Sequence, residues 1–325
     1  MADHEVESSF CSTRINARQM IADYFYVLVD VIKVIVLGVP ILFRKVLSFI
    51  SPKKFKNVSG QLAMITGGAN GLGREMALLL ADHGCNIIIV DIDLESAKRT
   101  CEDLRKKHVN AHAFRVDVSS FKEVETLAAR IYSEIGPVDI VINNAGLIHF
   151  TFLQDSSVDD VNKLIDVNVK SYIWVTKIFL KQMMERKQGH IVAISSICGI
   201  YPHPWAVMYT ATKHAVSGLM GALTEQLRLQ GFDRQIRTTC VSPYYIATRK
   251  DVIDFLQKPR FKLLTTEYSA RVIVDGILRN EINVSVPPLF DLGIRLMQLF
   301  PIKIQQLVRD FVIREHQLNS TKTPL

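Results

Sequence analysis

The chain has 325 residues, room for one large domain or two, with 48% hydrophobic and 22% charged residues. Its five cysteines, at positions 11, 85, 101, 198 and 240, show neither paired spacing nor a histidine cluster, which excludes a disulfide scaffold and a zinc site and fits a reducing compartment. The net charge of +7 is not gathered into a nucleic-acid patch, so no nucleic-acid partner is expected; much of the excess sits at Arg44, Lys45, Lys53, Lys54 and Lys56.

In chain order, residues 1–20 read as a polar segment, 21–50 as a hydrophobic membrane anchor and 51–60 as a basic linker. The apolar run from Tyr24 to Phe43 is 20 residues, long enough to cross a bilayer. Its Leu, Ile, Phe and Val residues favour insertion by about 4 to 8 kcal/mol, and the two charges, Asp30 and Lys33, cost about 5 to 7 kcal/mol. Spanning is therefore balanced near zero. Asp23, Tyr26, Asp30 and Lys33 fall along one stripe, and Asp30 can pair with Lys33 at i, i+3. Such a helix can span, lie in the interface, or form half of a hairpin bent near Gly38-Val-Pro40. The run begins late and lacks a small-residue cleavage site, unlike a signal peptide. The basic residues behind it suit a cytoplasmic, anionic leaflet.

Leu62 to Thr66 reads as a buried strand, Gly67-Gly-Ala-Asn-Gly71-Leu-Gly73 as a turn, and Leu72 to Asp82 as a helix. Glycines at such a junction let the backbone approach a pyrophosphate, and the helix N-terminus offers it free N–H groups. The spacing is G-x-x-x-G-x-G. A second strand, Asn86 to Asp91, ends in an acid about 20 residues past the glycines, placed to bond the adenosine ribose hydroxyls. That carboxylate repels a 2′-phosphate, and no Arg or Lys lies between Thr66 and Gly73 or directly after Asp91. NAD is expected over NADP. Asp91 can alternatively cap the next helix, Leu94 to Lys107, for which Asp93 is the better placed residue.

His190 to Ser196 reads as a strand and Val207 to Arg228 as a helix. Tyr209 and Lys213, four apart, share one face of that helix. A phenol titrates near pH 10 and works poorly as a base at neutral pH unless its phenolate is stabilised. An ammonium one turn away does so. Ser196 ends the strand, where its hydroxyl can hold a substrate oxygen. Ser195 is its rival, because only one of two successive strand residues points inward.

With Thr66-Gly67-xxx-Gly71-x-Gly73, Asp117-Val118, Asn143-Asn144-Ala145-Gly146 and Asn168, these residues resemble the short-chain dehydrogenase/reductase superfamily, from about Gly60 to Val286. The resemblance implies an α/β fold: a Rossmann-like, doubly wound, parallel seven-stranded sheet over residues 61–288, with Ile282 to Pro287 as its last strand. It implies a tetrad in which Tyr209 is the acid–base, Ser196 orients the substrate, Lys213 lowers the tyrosine pKa and binds the nicotinamide ribose, and Asn168 holds a relay water. It places Thr66, Gly67, Gly71, Leu72, Gly73, Asp91, Asp117, Val118, Asn144, Ala145, Gly146, Pro243 and Thr248 with Tyr209 and Lys213 around the cofactor. Asn143 competes with Asn144 for that contact. A dimer is expected on the resemblance alone.

The chain departs from the family at Tyr244, where glycine usually follows Pro243 beside the nicotinamide; a tighter or reshaped end of the site is expected. Lys54-x-Lys56-Asn-Val58-x-Gly60, Thr238-Thr-Cys-x-x-Pro243 and the apolar tail resemble the membrane-associated branch that contains epidermal retinol dehydrogenase 2 and the 17-beta-hydroxysteroid dehydrogenase 11 and 13 type. The branch implies the endoplasmic reticulum membrane or lipid droplets, with the catalytic domain facing the cytosol.

Leu147, Ile148, Phe150, Phe152, Tyr201, Trp205, Phe255 and Phe261 give the expected substrate loops an apolar, aromatic character, and Cys198 lies either in that zone or in the core. Beside a membrane anchor this suits a lipophilic alcohol: a retinoid, a steroid or a long-chain alcohol. The leading expectation is an NAD-dependent dehydrogenase. The alternatives are an NADPH-dependent carbonyl reductase of the same substrates and a non-catalytic nucleotide-binding scaffold on lipid droplets or endoplasmic reticulum. The tail, residues 289–325, can be a membrane contact, a lid or a dimer surface. Sequons at Asn57, Asn283 and Asn319 would report topology.

Overall fold

The computed structural model describes residues 17–50, 54–248 and 262–313, with 17–23, 44–50 and 312–313 described in backbone only. Cys11, Lys53, Phe255, Phe261, Asn319, most of the polar segment and the end of the tail lie outside the described residues. Contacts divide the chain into two units, Met1–Lys54 and Phe55–Leu325.

The first unit is one helix, α1 (Ala17–Ile50). It runs through Pro40 as one helix, so the chain makes no hairpin at Gly38-Val-Pro40; proline removes one backbone donor there without ending the helix. Tyr24–Phe43 is long and apolar enough to cross a membrane, and none of that window is buried in protein. Asp30 and Lys33 pair at 3.0 Å along the helix, as their spacing predicts.

The second unit is built on a seven-stranded, all-parallel sheet in the order β3-β2-β1-β4-β5-β6-β7. The strands are β1 (Leu62–Thr66), β2 (Asn86–Asp91), β3 (Ala111–Arg115), β4 (Ile140–Asn143), β5 (Gly189–Ile194), β6 (Ile236–Pro243) and β7 (Asn283–Val286). Runs such as Ile87-Ile-Ile-Val90 are apolar at every position because both faces of a parallel sheet are covered. On one face lie α2 (Gly71–Asp82), α3 (Leu94–Arg105) and α8 (Thr266–Leu278). On the other lie α4 (Phe121–Glu134), α6 (Ser171–Arg186) and α7 (Val207–Leu229). The short α5 (Val158–Ile165) runs into α6 through a π-helical turn, Asp166–Lys170. Two last helices, α9 (Phe290–Met297) and α10 (Ile302–Ile313), follow β7. The chain winds outward from β1 to β3, then returns to β4 on the other side of β1, which opens a crevice at the carboxyl ends of β1 and β4.

Phe55 to Gly60, read from the sequence as linker, is packed on the domain. Lys56 N donates to Leu278 O at 2.8 Å, and the Arg279 guanidinium lies 4.7 Å from the Phe55 ring centre. Lys56 therefore does not belong to a solvent-facing basic cluster. Its Nζ meets His190 Nδ1 at 2.7 Å, and burial lowers its pKa to about 8.

Candidate active site

A cleft of about 330 Å³ opens at that crevice. Gly71, Leu72, Gly73, Asn144, Gly146, Ser196, Tyr209, Lys213, Pro243 and Thr248, all singled out in the sequence, line it. Thr66, Gly67, Ala145, Asn168, Asp91, Asp117 and Val118 stand outside the lining.

The glycine turn is held by packing. A Cβ on Gly73 would lie 2.2 Å from Gly67 O and 2.8 Å from Asn144 Nδ2, while Gly67 itself sits at φ +61°. Asn144 Nδ2 donates to Gly67 O at 2.8 Å and to Thr66 O at 3.0 Å. Thr66 Oγ1 accepts from Asn144 N at 3.0 Å and from Ala145 N at 3.2 Å, lashing the ends of β1 and β4 together. Asn144 thus acts first on the turn. Asn143 points inward to Thr176 and Val192 and is spent on the core.

At the start of α2, Asn70 makes no side-chain cap and the first turn carries no acid. Its N–H groups are left for another acceptor. A Cβ on Gly71 would meet nothing nearer than Thr248, at 3.9 Å. An uncapped helix start and an open glycine, with the Thr248 Cβ and methyl group 3.9 Å across from it, fit a phosphate-bearing cofactor. Asn70 lines the cleft too, and its place just before the helix is the signal the sequence carries for it.

Asp91 ends β2 with Oδ2 accepting from Ala69 N at 3.0 Å and Oδ1 from Asp93 N at 3.1 Å. Asp93, not Asp91, caps α3, by accepting from Ser96 N. Asp91 therefore braces the glycine turn at the strand tip. Asp117 turns its Oδ1 to Ser119 N at 2.9 Å, and Val118 is buried in the core.

Ser195 and Ser196 separate as strand alternation requires. Ser195 Oγ donates to Lys213 O at 3.0 Å and pairs with Ser217 Oγ at 2.9 Å, facing α7. Ser196 Oγ accepts from Cys198 N at 3.1 Å, and it lines the cleft together with the Tyr209 phenol. Lys213 Nζ donates to Ile194 O at 2.8 Å and lies 5.6 Å from the Tyr209 ring centre. Burial lowers Lys213 to about 8. The phenol moves the other way from the expected lowering. Burial raises Tyr209, the Cys198 thiol adds to this, and Ser196 opposes it.

Asn168 sits in the π-helical turn, fully buried. Its Oδ1 accepts from Leu147 N at 2.7 Å, and its Nδ2 donates to Leu147 O at 2.8 Å and Thr212 Oγ1 at 3.1 Å. Both amide protons are committed. A Cβ on Gly146 would stand 3.5 Å from Asn168 Oδ1 and 3.6 Å from Lys213 Nζ, so these three groups converge.

Leu147, Ile148, Phe150 and Cys198 line the cleft as the sequence suggested. Tyr201 and Trp205 do not: Tyr201 donates to Gln305 O at 2.9 Å in α10, and the Trp205 ring lies tilted against His203, 5.8 Å between centres. Phe152 is outside the lining as well. Tyr244 is buried, edge to face with Tyr245 at 4.8 Å and Phe290 at 5.0 Å. It is not among the residues of positive φ, so no glycine is needed there and a bulky ring fits. Cys85, Cys101, Cys198 and Cys240 are free and buried.

Residues 61–253 match the family model described as short chain dehydrogenase. Human 17-beta-hydroxysteroid dehydrogenase 13 is 31% identical, over 83% of this chain and 90% of its own length. Mouse estradiol 17-beta-dehydrogenase 11 is 30% identical, over 87% and 94%. Human epidermal retinol dehydrogenase 2 is 32% identical, over 80% and 85%. Among solved structures, a short chain dehydrogenase/reductase from Burkholderia phymatum in complex with NAD superposes with a TM-score of 0.69 at 24% identity, covering 77% of this chain and 96% of that one, which shows a shared fold. The chain belongs to the short-chain dehydrogenase family of oxidoreductases.

Proposed function

We propose that the protein oxidises a lipophilic alcohol with NAD, using Tyr209 as the general base. The observation that carries this is the meeting of Ser196, Tyr209 and Lys213 in the cleft that the glycine turn and the uncapped start of α2 also line. NAD, when bound, supplies the acceptor for the hydride leaving the carbinol carbon. Gly71, Leu72, Gly73 and Thr248 would hold its phosphates, Asp91 would bond the adenosine ribose, and Asp117 and Val118 would flank the adenine. Asn144, Ala145, Gly146 and Pro243 support the nicotinamide end.

Ser196 donates to the substrate oxygen and orients it. Tyr209 takes the hydroxyl proton. Lys213 favours the phenolate electrostatically and binds the nicotinamide ribose. Asn168, with both amide protons committed, acts by fixing Leu147 and Thr212 around the site.

The apolar walls at Leu147, Ile148 and Phe150 support a lipophilic substrate. The names of relatives, steroid and retinol dehydrogenases, support the same class. The α1 window supports a membrane address, and the endoplasmic reticulum or lipid-droplet surface with a cytosolic domain is our reading of it. Exposed Leu292, Leu296, Leu299, Phe300 and Leu307 on and between the last two helices suit contact with lipid. A homodimer completes the reading, on family grounds. Membranes containing the full-length chain, offered retinol, a 17-beta-hydroxysteroid and a long-chain alcohol with NAD or NADP, should reduce NAD preferentially. NADP preference, or no reduction with any alcohol, would reject the reading.

A further inference from the structure

We propose that Tyr172 is a positioning residue for the reaction, one that stabilises the Lys213 ammonium with the face of its ring. This rests on the dehydrogenase reading and extends its machinery to a side chain behind the cleft.

Tyr172 stands in the first turn of α6, one helical turn on from Asn168, and is 1% exposed. It is not among the residues that line the cleft, so it can act on the reaction only through another group. Its Oη donates to Ile194 O at 3.0 Å, and Lys213 Nζ donates to the same oxygen at 2.8 Å. One carbonyl therefore holds both side chains. The ammonium lies 5.4 Å from the centre of the Tyr172 ring and 5.6 Å from that of Tyr209, within reach of two aromatic faces.

An ammonium this deeply buried needs compensation for the water it has lost. No carboxylate pairs with it among the described residues. The titratable groups facing it are Tyr209 on its own helix, Cys198 after β5, Cys240 in β6 and Tyr172. Burial keeps the proton on all four at pH 7, so no anion stands beside the lysine. What remains are dipoles: the Ile194 carbonyl and the negative faces of the two rings. Tyr209 changes charge as it takes the substrate proton. The Tyr172 ring is the support that stays constant.

The form active in oxidation pairs a charged Lys213 with a Tyr209 phenolate. Without the Tyr172 ring, Lys213 loses its proton at lower pH, and less of that pair can form above this point. Tyr172→Met keeps much of the volume and removes the ring face; Tyr172→Phe keeps the face. Both are assayed as full-length protein in membranes with NAD, on whichever of retinol, a 17-beta-hydroxysteroid and a long-chain alcohol the parent oxidises fastest. In Tyr172→Met the pH at which kcat/KM stops climbing should fall by about one unit, the size of a desolvated ring–cation contact. The loss should reach about tenfold above that pH and fade below it. Tyr172→Phe should keep the shape of the parent's profile.

An equal loss at every pH makes Tyr172 merely structural, and a Tyr172→Phe profile displaced as far as that of Tyr172→Met removes the ring's part. Either overturns the proposal. Should Tyr172→Met fail to fold, fluorinating the ring of the Tyr172→Phe protein keeps its shape while draining its face. It should shift the profile the same way, and no shift overturns the proposal. If no alcohol is oxidised, the dehydrogenase reading fails and thermal unfolding decides instead. The stability lost by Tyr172→Met, or by the fluorinated ring, relative to Tyr172→Phe should be larger at pH 6.5, where Lys213 is charged, than at pH 9.5, where it is neutral. An equal loss at both overturns the proposal.

Discussion

The Lys213 ammonium donates to the carbonyl oxygen of Ile194 at 2.8 Å, joining helix α7 to the end of strand β5. Ser196 lies two residues past that carbonyl and Tyr209 one turn before that lysine. That bond and the one from Ser195 Oγ to Lys213 O, at 3.0 Å, tie α7 to the chain just before Ser196 at two points, beside the two hydroxyls proposed to react.

The pH dependence of oxidation follows from this pair. Burial lowers Lys213 to about 8 and raises Tyr209, so at neutral pH the phenol keeps its proton and the lysine is mostly charged. Raising the pH removes a proton from the pair, and the rate constant kcat/KM for oxidation should climb from neutral into alkaline pH. Lys213→Met deletes the charge that favours the phenolate. Its rising limb should move to higher pH, with a loss of about 100-fold or more at pH 7. Profiles from pH 6 to 10 for both proteins check this.

A second buried lysine bears on stability. Lys56, against His190, titrates at about 8 when folded and near 10.5 when unfolded. Between those values the unfolded chain binds more protons, so stability rises with pH across the window, and the burial penalty is fully present below it. His190 is held well below its ordinary value by burial and stays neutral throughout. Buried Cys85, Cys101 and Cys198, their thiols raised by burial, pull the other way above about pH 9 in both proteins, so the check is a difference: the stability of the parent relative to Lys56→Met, from thermal unfolding at pH 7.5 and 10, should rise with pH.

Gly73→Ala should damage both fold and cofactor binding. The new methyl would meet backbone, Gly67 O at 2.2 Å and Gly68 Cα at 2.9 Å, which cannot swing aside as a side chain can. Overpacking of this kind costs about 1 to 3 kcal/mol. Calorimetry should show a lower Tm and a weakened stabilisation by added NAD.

Asp91→Ser should shift cofactor choice. The carboxylate at the tip of β2 holds the glycine turn through Ala69 N and repels a 2′-phosphate. Its loss should lower kcat/KM with NAD by about tenfold, the worth of one charge-assisted bond, and raise that with NADP. Kinetics with both cofactors on one alcohol decide it.

Much of this was legible because short-range chemistry carried it. The Ile87 to Val90 run announced a strand buried on both faces, the glycines announced a turn that admits no side chain, and the four-residue step from Tyr209 to Lys213 put both on one helical face. Strand alternation said that only one of Ser195 and Ser196 faces the site, and the family spacing to Tyr209 pointed to Ser196. What stayed hidden was long-range. Lys56 looked like one more basic residue behind an anchor, yet folding brings it to a histidine 134 positions away. Tyr201 looked like a substrate-loop aromatic and instead reaches Gln305, 104 positions on. His203 sits in a loop with no periodicity to declare its burial. The hairpin suggested at Pro40 is not formed because a helix can pass a proline at the loss of one bond.

The most direct test of the account is Tyr209→Phe in the full-length chain, assayed for alcohol-dependent reduction of NAD alongside NAD binding. The account predicts that binding is retained while turnover falls by about 100-fold to 10,000-fold, the worth of a positioned acid–base group. Turnover that survives the loss of the phenolic oxygen would contradict it.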